Sequence, residues 1–163
     1  MKQLAAQVGA ALKSHGMMLA TAESCTGGGV ATAVTEIAGS SAWFDRGFVT
    51  YSNQAKIDML SVSSDTLARF GAVSEATARA MVEGALQHSQ SHIAVAVSGI
   101  AGPGGGTADK PVGTVWFAWG VKDRETVARM QLLAGNRAEI RTQAVRIALQ
   151  GVLELLGHTT ETA

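Results

Sequence analysis

Met17-Met18-Leu19-Ala20-Thr21-Ala22 runs directly into Glu23-Ser24-Cys25-Thr26-Gly27-Gly28-Gly29, after which Val30, Val34 and Ile37 share one helical face until Gly39. The first six residues read as a short buried strand, the next seven as a glycine-rich turn, and the remainder as a helix. Strand, turn and helix in that order form the repeating unit of α/β sheets, and the rest of the chain can be read outward from it. Upstream, Leu4, Val8 and Leu12, with Ala5 and Ala11 alongside, predict an amphipathic helix ending near Gly16. Downstream, Gly47-Phe48-Val49-Thr50-Tyr51 has strand composition, and Asn53 can cap a helix carrying Lys56, Ile57, Met59 and Leu60. A short helix is expected from Asp65 to Arg69, and Ser74 caps a longer one that turns Ala78, Met81, Val82 and Ala85 to the core.

Residues 93–97 are apolar on both faces, as a central strand covered by helices on each side should be. A long loop, residues 99–113, precedes a strand at 114–121. The charged turn Lys122-Asp123-Arg124-Glu125 then returns the chain through residues 126–133 as a hairpin. The last helix is expected from Asn136 to Leu156, with Ile140, Ala144, Ile147, Ala148 and Leu155 on one face and Gly157 as its terminator. The pattern predicts a three-layer α/β/α sandwich around a mixed, mostly parallel sheet with a late antiparallel hairpin, in a single domain over residues 1–163.

Lys and Arg number 13 against 13 Asp and Glu, so there is no excess charge for coating a nucleic acid. No apolar run reaches the roughly 20 residues of a membrane span, and Met1-Lys2-Gln3 opens without the apolar block of a secretion signal, which points to the cytoplasm. The lone Cys25 can form no internal disulfide. His15, His88, His92 and His158 are not at metal-ligand spacing, and no metal is expected.

Of 19 glycines, three stand at 27–29 and five between 99 and 106, so two loops that each follow an expected strand hold eight of them. Glycine there lets backbone N–H groups approach an anion or a developing oxyanion. Gly102-Pro103-Gly104-Gly105-Gly106-Thr107 misses the dinucleotide fingerprint at its last position, and no phosphate-loop signature occurs anywhere. The loop reads instead as a wall of amides, with Thr107 and Lys110 within reach of a phosphate or hydroxyl. Ser24, on the sharp strand-to-helix turn, is placed as a nucleophile would be, with the amides around Thr26, Gly27 and Gly28 following it. Its base is better sought in Lys56 than in a histidine, because a desolvated lysine can become a neutral proton acceptor. Tyr51 could relay the proton or orient the amine. Each has an ordinary alternative: a helix cap for Ser24, a solvated side chain for Lys56, a core residue for Tyr51. Cys25 is a competing nucleophile. Arg137, opening the last helix where a cation is electrostatically disfavoured, can hold a phosphate. Trp43, Trp116 and Trp119 read as packing residues.

The ordered segments Thr21-Ala22-Glu23-Ser24-Cys25-Thr26-Gly27-Gly28, Gly39-Ser40-Ser41-Ala42-Trp43-Phe44, Val49-Thr50-Tyr51-Ser52-Asn53 with Lys56, Gly71-Ala72-Val73-Ser74, Val97-Ser98-Gly99-Ile100-Ala101-Gly102-Pro103-Gly104-Gly105 and Lys110-Pro111-Val112-Gly113-Thr114-Val115 together resemble the CinA C-terminal domain family. The resemblance runs from Leu4 to the final helix. It implies hydrolysis of nicotinamide mononucleotide to nicotinic acid mononucleotide and ammonia, with Ser24, Lys56 and Tyr51 matching the family's serine, lysine and tyrosine, and Arg137 on the substrate. It also implies a stand-alone form, without the larger N-terminal domain that many members carry. The joint expectation places the oxyanion at Thr26, Gly27 and Gly28, and the nucleotide phosphate at Gly102, Gly104, Gly105, Thr107 and Arg137. It includes no cofactor, a small nucleotide as substrate, no nucleic-acid or membrane partner, and a homo-oligomer. A nucleotide-binding module without turnover, and an amidase for another nucleotide amide, are the competing readings.

Overall fold

The computed structural model describes residues 1–161, with side chains as far as Gly157. In chain order the elements are α1 (Lys2–His15), β1 (Leu19–Glu23), α2 (Gly29–Thr35), β2 (Phe44–Val49), α3 (Asn53–Leu60), α4 (Ser64–Phe70), α5 (Glu75–Gln87), β3 (Ile93–Gly99), β4 (Thr114–Val121), β5 (Val127–Leu132) and α6 (Arg137–Glu161), with a short 3₁₀ turn at Ser40–Ala42. The sheet order is β2-β1-β3-β4-β5. β1 lies parallel to both β2 and β3, whereas β3–β4 and β4–β5 are antiparallel, so the antiparallel half begins one strand before the expected hairpin.

Side-chain size alternates across this sheet. Leu19, Ile93, Val95, Val97, Val115, Phe117 and Trp119 face α1, α2 and α6 in the larger core. Ala20, Ala22, Ala94, Ala96 and Ala118 face the other way, towards α5 and its neighbours. The bulky side is filled partly by accommodation from the helix: a Cβ on Gly151 of α6 would lie 2.1 Å from Trp119 Cε2, and Trp119 Nε1 donates to the Ala148 carbonyl at 2.9 Å. Burying each large side chain contributes about 1.5–3 kcal/mol relative to exposure.

Helix starts follow their serines. Ser52, Ser63 and Ser74 accept from the amides of Ala55, Thr66 and Thr77, each cap contributing about 1 kcal/mol. Ser74 therefore caps as expected, but Ser52 rather than Asn53 caps α3. β2 also begins earlier than Gly47, at Phe44, and ends before Thr50. Gly157 does not stop α6, which continues to Glu161 and takes in the backbone of His158, expected beyond it; the His158 side chain lies outside the described residues. No helix among the described residues is long and apolar enough to cross a membrane.

Candidate active site

Because β2, β1 and β3 run parallel, their C-terminal ends lie on one edge of the sheet, where open α/β sheets hold their ligands. β1 delivers Ser24, the segment after β2 delivers Tyr51 and Lys56, and β3 opens into the 99–113 loop. These segments, with Ala72, Val73 and Arg137, enclose a cleft of about 310 Å³.

Lys56 sits in the first turn of α3 and is 1% exposed. Its Nζ lies 3.1 Å from Ser24 Oγ, 2.8 Å from the Thr50 carbonyl and 3.3 Å from the Tyr51 carbonyl. Burial pushes its pKa below the ordinary lysine value. Nζ donates to all three partners, Ser24 Oγ included, which fits the three N–H groups of an ammonium; once a proton is lost, two N–H groups still serve the two carbonyls and the lone pair can face the Ser24 hydroxyl. Ser24 itself is nearly buried, its amide donating to the Val97 carbonyl at 2.9 Å. The pair can therefore pass a proton from Ser24 to Lys56.

Tyr51 contributes to this arrangement through its main chain. Its ring is largely exposed, and its hydroxyl accepts from Arg137 Nη2 at 3.3 Å rather than meeting the amine. Arg137 Nη1 donates to the Gly102 carbonyl at 2.7 Å, which ties the start of α6 to the second glycine-rich loop. Gly102, Gly104 and Gly105 line the cleft, and a Cβ on Gly104 would meet nothing within 4 Å. Thr107 is not on the cleft wall: its amide and hydroxyl close a turn with Lys110, whose Nζ donates to the Phe70 carbonyl at 2.8 Å.

Thr26, Gly27 and Gly28 are likewise absent from the cleft wall, and several of their groups are bonded within the chain. The Gly27 amide donates to the Ser24 carbonyl, and Thr26 Oγ1 donates to Glu23 Oε1 at 2.6 Å. Glu23 also accepts from the amides of Val30 and Ala31, so the start of α2 is already satisfied by a carboxylate of the chain itself. Gly28, with φ 100°, supplies the left-handed residue that the turn requires.

Cys25 borders the cleft, but burial pushes its thiol up to about 11, against smaller opposing effects from backbone hydrogen bonds and Arg141. The thiol stays protonated at neutral pH, the weaker state for a nucleophile. The histidines whose side chains are described are engaged elsewhere: His15 with the Ala11 carbonyl, His88 with Ser61 and His92 with the Met18 amide. Among the described residues no three His, Cys, Asp or Glu side chains gather as a metal-holding group. Trp43 and Trp119 lie in the larger core and Trp116 packs against the alanine side.

Residues 1–156 match the family model of the CinA C-terminal domain. The chain belongs to the CinA C-terminal domain family. It is 55% identical over 148 residues to the nicotinamide-nucleotide amidohydrolase PncC of Escherichia coli K12, covering 91% of this chain and 90% of that one. Its identity to the protein of the same name from Pseudomonas putida is 49% over 152 residues, 93% and 94% of the two chains. Among solved structures, the competence damage-inducible protein A of Klebsiella pneumoniae matches with a TM-score of 0.93 at 44% identity, over 96% of this chain and 97% of that one. The competence/damage inducible protein CihA of Agrobacterium tumefaciens matches with a TM-score of 0.91 at 51% identity, over 94% of each chain.

Two residues of this CinA domain that hold the Ser24 turn are not apparent from the sequence. Glu23 is one; the other is Arg141 of α6, whose Nε donates to the Cys25 carbonyl at 3.1 Å and whose Nη2 donates to the Thr26 carbonyl at 3.3 Å. A charge beside a run of strand residues was the available signal for Glu23. Arg141 carried none, being 116 residues from Cys25 in the chain.

Proposed function

We propose that the protein hydrolyses the carboxamide of nicotinamide mononucleotide, giving nicotinic acid mononucleotide and ammonia in pyridine-nucleotide recycling, with Ser24 as nucleophile and Lys56 as its base. The observation that carries this reading is the buried Lys56 amine, 3.1 Å from Ser24 Oγ and held by two carbonyls. Ser24 Oγ attacks the carboxamide carbon as its proton passes to Lys56 Nζ. When the tetrahedral intermediate collapses, Lys56 returns that proton to the departing nitrogen and ammonia leaves. Water then attacks the acyl-enzyme, giving its proton to Lys56, which passes it to Ser24 Oγ as the ester bond breaks and the acid is freed. Main-chain N–H groups of the cleft wall stabilise the oxyanion. Tyr51 supports the base through its carbonyl and Arg137 through its hydroxyl.

The lining of the cleft contains no carboxylate and includes Arg137, which suits a phosphate. Ala72, Val73, Ile100 and Ala101 give an apolar wall for a pyridine ring. Gly102, Gly104 and Gly105 offer main-chain groups to the phosphate beside Arg137. The enzyme works in the cytoplasm, and as a homo-oligomer through β5, whose Val127, Met130 and Leu132 are exposed. The test is ammonia release and acid formation from nicotinamide mononucleotide by purified protein, against a panel of other nucleotide amides. One ammonia per acid is expected. Turnover of another amide alone would move the substrate, and binding without turnover would make the chain a nucleotide-binding module.

A further inference from the structure

The turn that carries Ser24 is gripped from both sides by opposite charges. On the inner side, the Glu23 carboxylate is 1% exposed as a residue and accepts three hydrogen bonds: Thr26 Oγ1 at 2.6 Å, the Val30 amide at 2.8 Å and the Ala31 amide at 3.0 Å. On the other side, half-buried Arg141 donates to the carbonyls of Cys25 and Thr26. A trans peptide is planar, so fixing a carbonyl also fixes the N–H of the next residue in the opposite direction. Arg141 on the Cys25 and Thr26 carbonyls therefore sets the Thr26 and Gly27 amides, and the Gly27 amide is found on the Ser24 carbonyl at 3.0 Å.

We infer that Glu23 and Arg141 are a pair of positioning residues that hold the Ser24 turn in register with Lys56. The inference rests on Ser24 being the nucleophile. Neither side chain is on the cleft wall, so neither is placed to touch substrate. Their action is to keep Ser24 Oγ at its distance from the amine, which is anchored separately by the Thr50 and Tyr51 carbonyls. Loosening the turn misaligns the attack while leaving the base and the cleft walls in place. A displacement on the order of 1 Å from a reacting geometry can cost about 100-fold in rate.

The variants are Glu23→Gln, which puts an N–H where an acceptor is needed, and Arg141→Met, which keeps bulk without donors, with Arg141→Lys as the conservative case. For Glu23→Gln and Arg141→Met we expect kcat on nicotinamide mononucleotide to fall about 10- to 100-fold with KM within about threefold of wild type. Arg141→Lys should lie between Arg141→Met and wild type. The same ranking is expected for the rate at which a fluorophosphonate labels Ser24, with Ser24→Ala as the blank. Labelling reads the nucleophile without regard to the natural substrate, so failure of the wild type on nicotinamide mononucleotide with normal labelling would overturn the substrate and leave the clamp measurable. All rates are taken per folded molecule, with thermal unfolding recorded for each variant. The inference is overturned if both rates stay within twofold of wild type. It is also overturned if every loss is accounted for by the fraction unfolded, or if the loss appears in KM alone.

Discussion

The two glycine-rich loops have similar compositions and opposite orientations. In residues 24–29 the polar groups turn into the protein: Thr26 and the start of α2 to Glu23, the Cys25 and Thr26 carbonyls to Arg141, the Gly27 amide to Ser24. In the 99–113 loop, Gly102, Gly104 and Gly105 line the cleft. The first loop spends glycine on making a tight turn, bonded largely within the chain, that presents one hydroxyl. The second spends it on a wall that another molecule can approach. Glycine content alone does not separate these uses; what separates them is whether the neighbouring donors and acceptors already have partners.

The sharpest break in this comparison comes from the hydroxyl the first loop presents and the α3 amine that meets it. Ser24→Ala and Lys56→Met should each lower ammonia release on the order of 10⁴-fold or more. Lys56→Met should unfold no lower in temperature than wild type, because it removes a buried amine without shortening the side chain greatly. For the wild type, kcat/KM should rise with pH as Lys56 loses its proton, with a midpoint below the ordinary lysine value of about 10.4. The stability effect has the same sign. At low pH folded and unfolded chains both hold the proton and the cost of burial is full. As pH climbs from the lowered folded pKa towards the unfolded one, the folded chain sheds its proton first and is relatively stabilised. A pH–rate profile and a pH series of denaturant melts check the two limbs.

The second loop is probed through its cation. Arg137→Met should raise KM for nicotinamide mononucleotide about 10- to 100-fold, the loss of a charged hydrogen bond, while scarcely changing turnover of the riboside that lacks the phosphate. Equal losses on both substrates would place the phosphate elsewhere. Smaller effects should distinguish the glycines themselves. Gly27→Ala forces a Cβ onto a residue with φ 59° and against Arg141 Nη2 at 3.4 Å, so about 1–2 kcal/mol of stability and part of kcat should be lost. Gly104→Ala has open space around its Cβ, so its melting curve should match wild type and any change should appear in KM. The smallest effect is Cys25→Ala, which should keep activity within about threefold because the thiol is protonated and its role is packing.

Much of the α/β layering could be read from the chain because residues 93–97 of β3 are apolar throughout, β1 is broken only by Thr21 before it reaches Glu23, and Ser74 marks its own helix start. β2 was harder. Asp45 and Arg46 lie within it, and on an edge strand such charges hide the pattern that an interior strand displays. Gly157 misled as a terminator because a glycine costs a helix only about 1 kcal/mol, less than continued backbone bonding from a well-packed helix can offset. At the site, Ser24 and Lys56 stood out because each follows the end of a strand, whereas their 3.1 Å contact, across 32 residues of chain, is a product of the fold. For Thr26, Gly27 and Thr107 the partners could not be read from the chain: the Thr26 hydroxyl is on Glu23, the Gly27 amide on Ser24, and Thr107 on Lys110. Tyr51 was recognisable as a residue, but no sequence pattern shows that its carbonyl rather than its phenol meets the Lys56 amine.

Arg137 and Arg141 stand four residues apart on α6, one reaching the second loop and the other the first. Successive residues of a helix are about 100° apart around its axis and about 1.5 Å apart along it. The spacing between the two loops is thus referred to a ruler graded in helical residues. Inserting a single alanine between positions 137 and 141 would leave both arginines on a good helix but rotate one by about 100° relative to the other. Lengthening α6 by one residue at this point is therefore a more disruptive change to the site than many substitutions within it, although it alters no residue that borders the cleft.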